Sequence, residues 1–162
     1  YSLAAEQGNA CAQNKLGMMY ERGQGVARNN RTAVKWYSLA AEQGNADAQY
    51  NLGEMYMYEF KWGVPQDYAT AVKWFSLAAE QGLSQAQDRL GEMYDFGHGV
   101  PQDYKAAVGW YSLAAEQGNA NAQYNLGWMY RAGHGVPQDY KTAYKWHSLS
   151  AEQGHALAQE KI

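Results

Sequence analysis

Cysteine is almost absent from this sequence: Cys11 is the only one among 162 residues, which also include only 3 prolines and 3 phenylalanines. One cysteine cannot form a disulfide within the chain, so the sequence indicates no redox compartment. We interpret Cys11 as an unreactive, partly exposed residue rather than a reactive thiol. The aromatic character comes instead from 14 Tyr and 6 Trp, whose polar tips suit partly buried surfaces.

Long runs of basic or apolar residues are also missing. The 13 basic residues are scattered and outnumbered by 16 acidic ones, for a net charge of −3. Because a nucleic-acid-binding protein usually carries a basic stripe, no nucleic acid is predicted as a partner. The apolar runs are too short for a membrane-spanning helix, so no membrane insertion is predicted. No secretory signal is visible, and the chain opens within a repeated pattern, so we interpret it as part of a longer protein whose compartment is left open.

Repetition is what the sequence has in abundance. Ala-Ala-Glu-Gln-Gly occurs four times and Ser-Ala-Glu-Gln-Gly once, at spacings of 36, 38, 36 and 36 residues, and Leu-Gly-x-Met-Tyr marks the other half of each period. Self-similarity at such a period is typical of a solenoid. We therefore predict a single domain of four full repeats, with a partial helix at each end. The repeats are 9–44, 45–82, 83–118 and 119–154, and the partial helices are 1–8 and 155–162.

Each repeat is predicted to contain two helices, which we call helix A and helix B. Gly44 suits the left-handed end of a helix, and Asn45 follows it as the N-cap of helix A. A Gly-x-Gly turn then leads through Val-Pro-Gln-Asp into helix B, with Asp103 as its N-cap in the third repeat. In that repeat, helix A is expected to start near Ser84 and helix B near Tyr104.

The apolar residues of these helices indicate how the repeats stack. In the second repeat, helix A has one narrow apolar stripe, whereas the stripe of helix B is broad enough to pack on two sides. A single hairpin cannot bury such a surface, but stacked copies can. The predicted fold is an all-α, right-handed α-solenoid of helix-turn-helix repeats, with strand content near zero.

Over whole repeats the sequence resembles the Sel-one-like repeat (SLR) family, whose repeats are tetratricopeptide-like and here 36 residues long. The fourth repeat carries the motif at Ala122, Leu126, Gly127, Tyr130, Gly133, Gly135, Asp139, Ala143, Trp146, Ala151 and Gly154. The resemblance implies a solenoid fold, a scaffold or adaptor role in protein complexes, and no catalytic residue. This chain differs from secreted members of the family, which carry paired cysteines. The near identity of the repeats leaves open recent duplication or consensus engineering.

The motifs of common catalytic and metal sites are missing. The Gly-x-Gly turns lack the third glycine and the Lys-Ser/Thr of phosphate-binding loops, and no acylation or zinc-protease motif occurs. His98 and His134 occupy the same turn position in adjacent repeats, but two ligands are too few for a zinc site. We therefore predict that the chain is not an enzyme and has no metal or cofactor.

Comparison of the repeats with one another separates a shared scaffold from a variable surface. Five positions of helix A vary most, and their spacing of 3, 4, 3 and 1 places them on one face, opposite the apolar stripe. By analogy with tetratricopeptide-like solenoids, this face lines a concave groove. The groove is acidic, with aromatic residues between the acids. The predicted peptide-binding or protein-binding residues on this face are Tyr50, Glu54, Asp88, Glu92, Asp95, Tyr124, Trp128 and Arg131.

The predicted function is the binding of a protein or peptide that is basic or carries aromatic residues. Aromatic side chains in the groove would anchor it, and acidic ones would select it by charge. An alternative stays open: a structural spacer or consensus scaffold without a dedicated ligand. An evenly polar helix-A face would favour the spacer, and an exposed apolar patch would favour binding.

The second repeat is irregular because two extra residues lie between its two helices, where Lys61 replaces the first turn glycine. Without that glycine to end it, helix A is expected to run on by about two residues, roughly 3 Å. The inserted segment gathers four large apolar side chains: Met57, Tyr58, Phe60 and Trp62. They are expected either to cover the adjacent core or to form a knob for a partner or a second copy of the chain.

Overall fold

The computed structural model describes residues 2–58 and 63–159, and in these it contains ten α-helices and no strand. The chain divides into two compact halves, Tyr1–Gln81 and Gly82–Ile162. The N-terminal half contains α1 (Ser2–Glu6), α2 (Ala10–Arg22), α3 (Asn30–Glu42), α4 (Ala46–Met57) and α5 (Tyr68–Glu80). The C-terminal half contains α6 (Ser84–Phe96), α7 (Tyr104–Glu116), α8 (Ala120–Ala132), α9 (Tyr140–Glu152) and α10 (Ala156–Gln159).

The helices pair as the repeats predict. α2 packs on α3 and α4 on α5 in the N-terminal half, and α6 packs on α7 and α8 on α9 in the C-terminal half. The predicted starts at Ser84 and Tyr104 are confirmed. The all-helical repeat fold is therefore confirmed, with the even-numbered helices from α2 to α8 as helix A and their successors as helix B.

Within each hairpin, a glycine of helix A lies directly under an aromatic ring of helix B. A Cβ atom added to Gly91 would lie 2.6 Å from the Tyr111 ring, and one added to Gly53 would lie 2.6 Å from the Phe75 ring. Both rings are completely buried. The glycine of Leu-Gly-x-Met-Tyr therefore recurs because any side chain there would push the two helices apart.

The helix starts follow from side-chain caps. Asn9, Asn45 and Asn119 each accept a hydrogen bond from the backbone N–H three residues ahead, at 2.9–3.0 Å. Asp139 caps α9 in the same way. The Thr142 hydroxyl also donates to the Asp139 carboxylate at 2.7 Å, and this hydrogen bond holds the pKa of that carboxyl below its usual range. These caps satisfy N–H groups that the first helical turn would otherwise leave without a partner.

The cap of α8 provides a stability test. Replacing Asn119 by alanine removes the acceptor of the Ala122 N–H and is expected to lower the free energy of unfolding by about 1 kcal/mol. Chemical denaturation followed by circular dichroism measures the change. Asn119→Asp keeps an acceptor at the cap and should retain most of the stability. An alanine variant as stable as the wild type would show that the cap contributes nothing.

Buried glutamines join consecutive repeats through a recurring pair of hydrogen bonds, which we call the glutamine clamp. The Gln123 amide nitrogen donates to the Ala115 carbonyl at 3.2 Å, and its oxygen accepts a hydrogen bond from Gln153 at 2.8 Å. Gln49 makes the equivalent two bonds in the N-terminal half. The glutamine of the last four Glu-Gln-Gly strings therefore recurs because its amide nitrogen donates to the amide oxygen of a buried glutamine of helix A.

The expectation that helix A of the second repeat runs on is wrong, because α4 ends at Met57, one residue earlier than its counterparts. An anchor that recurs in the repeats prevents the helix from running on: the Asp67 N–H donates to the Tyr56 carbonyl at 2.9 Å, as the Asp103 N–H does to the Tyr94 carbonyl. That bond takes the carbonyl out of the helical ladder. Tyr58 then leaves the helix in an extended conformation, so no left-handed glycine is needed.

Candidate functional site

The eight predicted binding residues lie on three of the A helices. In the N-terminal half, α4 carries Tyr50 and Glu54. In the C-terminal half, α6 carries Asp88, Glu92 and Asp95, and α8 carries Tyr124, Trp128 and Arg131. Six of the eight therefore belong to the C-terminal half, and the candidate site is described there.

A pocket of about 220 Å³ lies between α6 and α8. We call it the α6–α8 pocket; it is lined by Asp95, Phe96, Tyr124, Asn125 and Trp128. Phe96 and Trp128 are large apolar side chains that remain 64% and 41% exposed. A shallow depression of about 370 Å³ adjoins it and also involves Arg131. The structure thus brings three predicted residues, Asp95, Tyr124 and Trp128, into one cavity.

Asp88 does not belong to an open acidic surface, and its expected exposure is wrong. Its side chain is only 3% exposed, and one carboxylate oxygen accepts a hydrogen bond from Asn125 Nδ2 at 3.2 Å. Burial, followed by the nearby charge of Glu92, raises its pKa to about 7, against the opposing effects of Arg89 and Asn125. The physical reason is that α8 reaches across to α6, a contact that the periodicity of α6 alone cannot indicate.

Asp95 is buried for a different reason, which lies within its own hairpin. Because Gly91 lets the Tyr111 ring lie against α6, the tyrosine hydroxyl reaches one turn further and donates to Asp95 Oδ2 at 3.4 Å. Burial raises the pKa of the Asp95 carboxyl, while the Tyr111 hydrogen bond and the charge of His134 act in the opposite direction. Burial also raises the pKa of the Tyr111 hydroxyl. The pocket therefore contains a carboxylate that has lost most of its water.

The aromatic walls of the pocket are held in place by histidines. The Trp128 ring meets His134 edge-on at 4.8 Å, and His134 in turn stacks on Tyr104 at 4.4 Å. Tyr124 stacks on His155 at 4.9 Å. These contacts restrict both rings before any ligand binds, which lowers the entropy that binding would lose.

The other two predicted residues of this half border the pocket. Glu92 is partly exposed and forms an ion pair with Arg89 at 2.8 Å. Arg131 is exposed, and its backbone carbonyl accepts a hydrogen bond from Gln138 at 2.8 Å. Of the three acids on α6, only Glu92 thus offers charge near the solvent.

The equivalent surface of the N-terminal half differs in chemistry. Arg22 and Glu54 take the places of Phe96 and Trp128, so of the three aromatic walls only the counterpart of Tyr124, Tyr50, is aromatic there. Glu21, the counterpart of Asp95, accepts a hydrogen bond from the Tyr37 hydroxyl at 2.5 Å. Tyr50 is half-buried, with its ring 5.8 Å from that of Phe75.

The predicted knob of the second repeat is only partly described. Met57 and Tyr58 are both half-buried, and the Met57 carbonyl accepts a hydrogen bond from Gln66 at 2.8 Å. Phe60 and Trp62 lie outside the described residues. The knob as an interface for a partner or for self-association therefore stays a prediction.

Residues 2–58 and 63–159 contain no group of three or more His, Cys, Asp or Glu side chains placed to hold a metal ion. His98 and His134 are instead packed against aromatic rings, Phe96 and Tyr104 respectively. None of the described helices has the length and apolar character needed to span a bilayer.

Sequence reasoning missed two residues that line the pocket, Phe96 and Asn125. Phe96 was visible as a variable position, where Arg22, Tyr58 and Ala132 stand in the other repeats. Asn125 was less clearly indicated, because only one other repeat has an asparagine at the equivalent position, Asn51. Its role follows from the hydrogen bond to Asp88 on a different helix.

The comparison with protein families matches the Sel1 repeat at residues 12–45, 46–83, 84–119 and 120–155. Among solved structures, the chain is similar to a protective antigen of uropathogenic Escherichia coli strains that displays an SLR fold, with 45% identity and a TM-score of 0.92 over 97% of this chain and 33% of that one. It is also similar to a Sel1 repeat protein from Oxalobacter formigenes, with 40% identity and a TM-score of 0.88 over 94% of this chain and 60% of that one. Helicobacter pylori cysteine rich protein B shares the fold, with 21% identity and a TM-score of 0.63 over 83% of this chain and 96% of that one.

A search of curated proteins found no match. The two more similar structures are longer than this chain, which spans about a third of one and 60% of the other. The family match covers nearly the whole sequence and agrees with the four helical hairpins. The chain therefore belongs to the Sel1 repeat family.

Proposed function

We propose that the chain is a protein-binding scaffold whose C-terminal half binds a peptide segment of its partner at the α6–α8 pocket. Sel1 repeat proteins are generally protein-interaction scaffolds, and the family is typically non-catalytic. The observation that carries the proposal is the pair of exposed aromatic side chains, Phe96 and Trp128, beside a buried carboxylate, Asp95. Aromatic residues at the edge of a preformed pocket are the usual anchors of a protein interface.

The same observation favours binding over the spacer alternative. A spacer is expected to present an evenly polar face, and the N-terminal half does carry polar residues, Arg22 and Glu54, at these two positions. The C-terminal half instead exposes two large apolar surfaces at one site, which costs free energy unless a partner covers them. The polar counterpart shows that the repeat does not require aromatic residues there.

The partner chemistry follows from the charges around the pocket. Asp95 and Glu92 both lie on α6, and a basic segment would give the buried Asp95 carboxylate a cationic partner and add to the ion pair that Glu92 already forms with Arg89. We therefore propose a partner segment that is basic and that contacts the Trp128 ring. The remaining predicted residues, Tyr50 and Glu54, are proposed as further contacts for a longer partner.

This proposal is tested by selecting peptides from a random library displayed on phage. The Trp128→Glu variant copies the residue that stands at the equivalent position of the second repeat, so the fold should be retained. Peptides selected on the wild type are expected to lose at least about tenfold in affinity for this variant, as hot-spot aromatic residues typically do. Titration calorimetry measures the affinities, and circular dichroism checks the fold.

The control is Asp47→Asn, which removes an exposed acid of α4 outside the pocket and should leave affinity for a pocket-bound peptide nearly unchanged. Peptides that bind the wild type and Trp128→Glu equally well would refute the proposed site. A charge-reversal test should use Glu92 and not Asp88, since a lysine at position 88 would be buried and would disturb the fold.

A further inference from the structure

We infer that the α6–α8 pocket receives the side chain of one arginine of the bound peptide. This inference rests on the proposed function and adds the identity of the residue that enters the cavity. It is carried by the size of the pocket, by the hydrogen-bonding state of its carboxylate, and by the planar rings of its walls.

The size of the pocket suits one long side chain. Its volume is about 220 Å³, and the adjoining depression of about 370 Å³, which shares Tyr124 and Trp128 with it, has room for neighbouring residues of the peptide. A single long side chain can fill the pocket, while the rest of the peptide lies along α6 and α8.

The floor of the pocket has an unused acceptor for a cation. Asp95 Oδ2 accepts a long hydrogen bond from Tyr111, at 3.4 Å, and no residue of the described chain donates to Oδ1. Although only 7% exposed, Asp95 lines the cavity. Asn125 uses its amide nitrogen on Asp88, so its oxygen also remains available in this part of the chain. A guanidinium group has five N–H donors and can serve both acceptors.

The walls favour arginine over lysine and over an apolar residue. A guanidinium group is planar, stacks on aromatic faces and is less strongly hydrated than an ammonium group, so it loses less on entering a cavity between Phe96, Tyr124 and Trp128. An apolar side chain would cover Asp95 without providing a donor, which is costly for a buried carboxylate. The nearest cation on α6, Arg89, forms its ion pair with Glu92 and does not line the pocket.

The experiment compares three versions of a peptide from the selection described above: the original, one with the candidate arginine replaced by lysine, and one with it replaced by citrulline, the neutral isostere. On the wild type, the citrulline peptide is expected to bind about tenfold or more weakly, because a charge-assisted hydrogen bond is lost. The lysine peptide should be intermediate.

The second part of the experiment tests the same peptides on the variant Asp95→Asn. Asparagine has nearly the same shape and can still accept from the Tyr111 hydroxyl, so the fold should persist, which circular dichroism checks. This variant should bind the arginine and citrulline peptides with similar affinity. The matched control is Glu21→Gln in the N-terminal half, which removes the equivalent carboxylate and should leave the preference for arginine intact.

The outcomes separate this inference from the proposed function. The arginine inference would be overturned if the selected peptides depend on Trp128 but lack an arginine. It would also be overturned if they bind equally well when citrulline replaces that arginine. Either result would leave the peptide site standing. Peptides that retain their preference for arginine on Asp95→Asn would also overturn it. If no selected peptide depends on Trp128, both the site and the inference fail.

Discussion

Replacing Gly91 by alanine is expected to lower the free energy of unfolding by about 1–3 kcal/mol, although alanine is the better helix former. The new Cβ would lie 2.6 Å from the Tyr111 ring, which is 1% exposed and cannot move without changing its hydrogen bond to Asp95. Either the ring or the whole of α7 must shift. Thermal and chemical denaturation measure the loss.

The chain offers a matched control one helix away. Gly109 lies within α7 on the exposed side, and a Cβ added there meets nothing within 4 Å. Gly109→Ala is therefore expected to raise the free energy of unfolding by about 1 kcal/mol, from helix propensity alone. The same substitution should thus have opposite signs at two glycines. A Gly91→Ala variant that gains stability would contradict the close packing of the two helices.

Replacing Asp88 by asparagine is expected to stabilise the protein by up to about 4 kcal/mol at pH values well above 7. Burial raises the pKa of this carboxyl from 3.8 to about 7, so the folded state binds a proton more tightly than the unfolded chain. The asparagine keeps an acceptor for Asn125. The N-terminal half already uses this arrangement, because Asn51 donates to Asn14 at 3.1 Å.

The sign of the pH dependence follows from the raised pKa. Below 3.8 the carboxyl is protonated in both states and costs little; as the pH rises to about 7 the unfolded chain ionises first, and the folded state loses stability. The difference between Asp88→Asn and wild type should therefore be near zero in acid and reach its full size above pH 7. Urea denaturation across this pH range measures it.

The control for this pH series is Asp47→Asn, which removes an exposed acid from helix A of the second repeat. Its effect on the free energy of unfolding is expected to be small, below about 1 kcal/mol, because the side chain at position 47 is exposed to solvent. A gain for Asp88→Asn that is the same at every pH would show that the carboxylate is not penalised by burial.

Much of the fold could be predicted because its signals are local. The starts of α6 and α7 at Ser84 and Tyr104 follow from cap and turn residues within a few positions of each boundary. The end of α4 at Met57 could not be predicted in this way. The bond from the Asp67 N–H to the Tyr56 carbonyl recurs in the other hairpins, and the earlier end comes from the extended conformation of Tyr58, which a count of inserted residues does not reveal.

The candidate site was predicted only in part because it combines helices of different repeats. The positions of Tyr124 and Trp128 followed from internal variation, but the burial of Asp88 depends on Asn125, 37 residues away in the chain. The sequence also contains a second correlation between the two helices of a hairpin. Where helix B has tyrosine, as at Tyr37 and Tyr111, the variable position of helix A has an acid that accepts its hydroxyl.

The glutamine clamp has a consequence for how such a chain can change its length. Gln123 donates to the Ala115 carbonyl, and Gln49 donates to the Ala41 carbonyl in the same way. The junctions between repeats therefore have the same donors and acceptors. Excising or duplicating one whole repeat would therefore bring together two ends that already match, and no buried amide would be left without a partner. The number of repeats can thus vary by recombination independently of the few helix-A residues that determine what is bound.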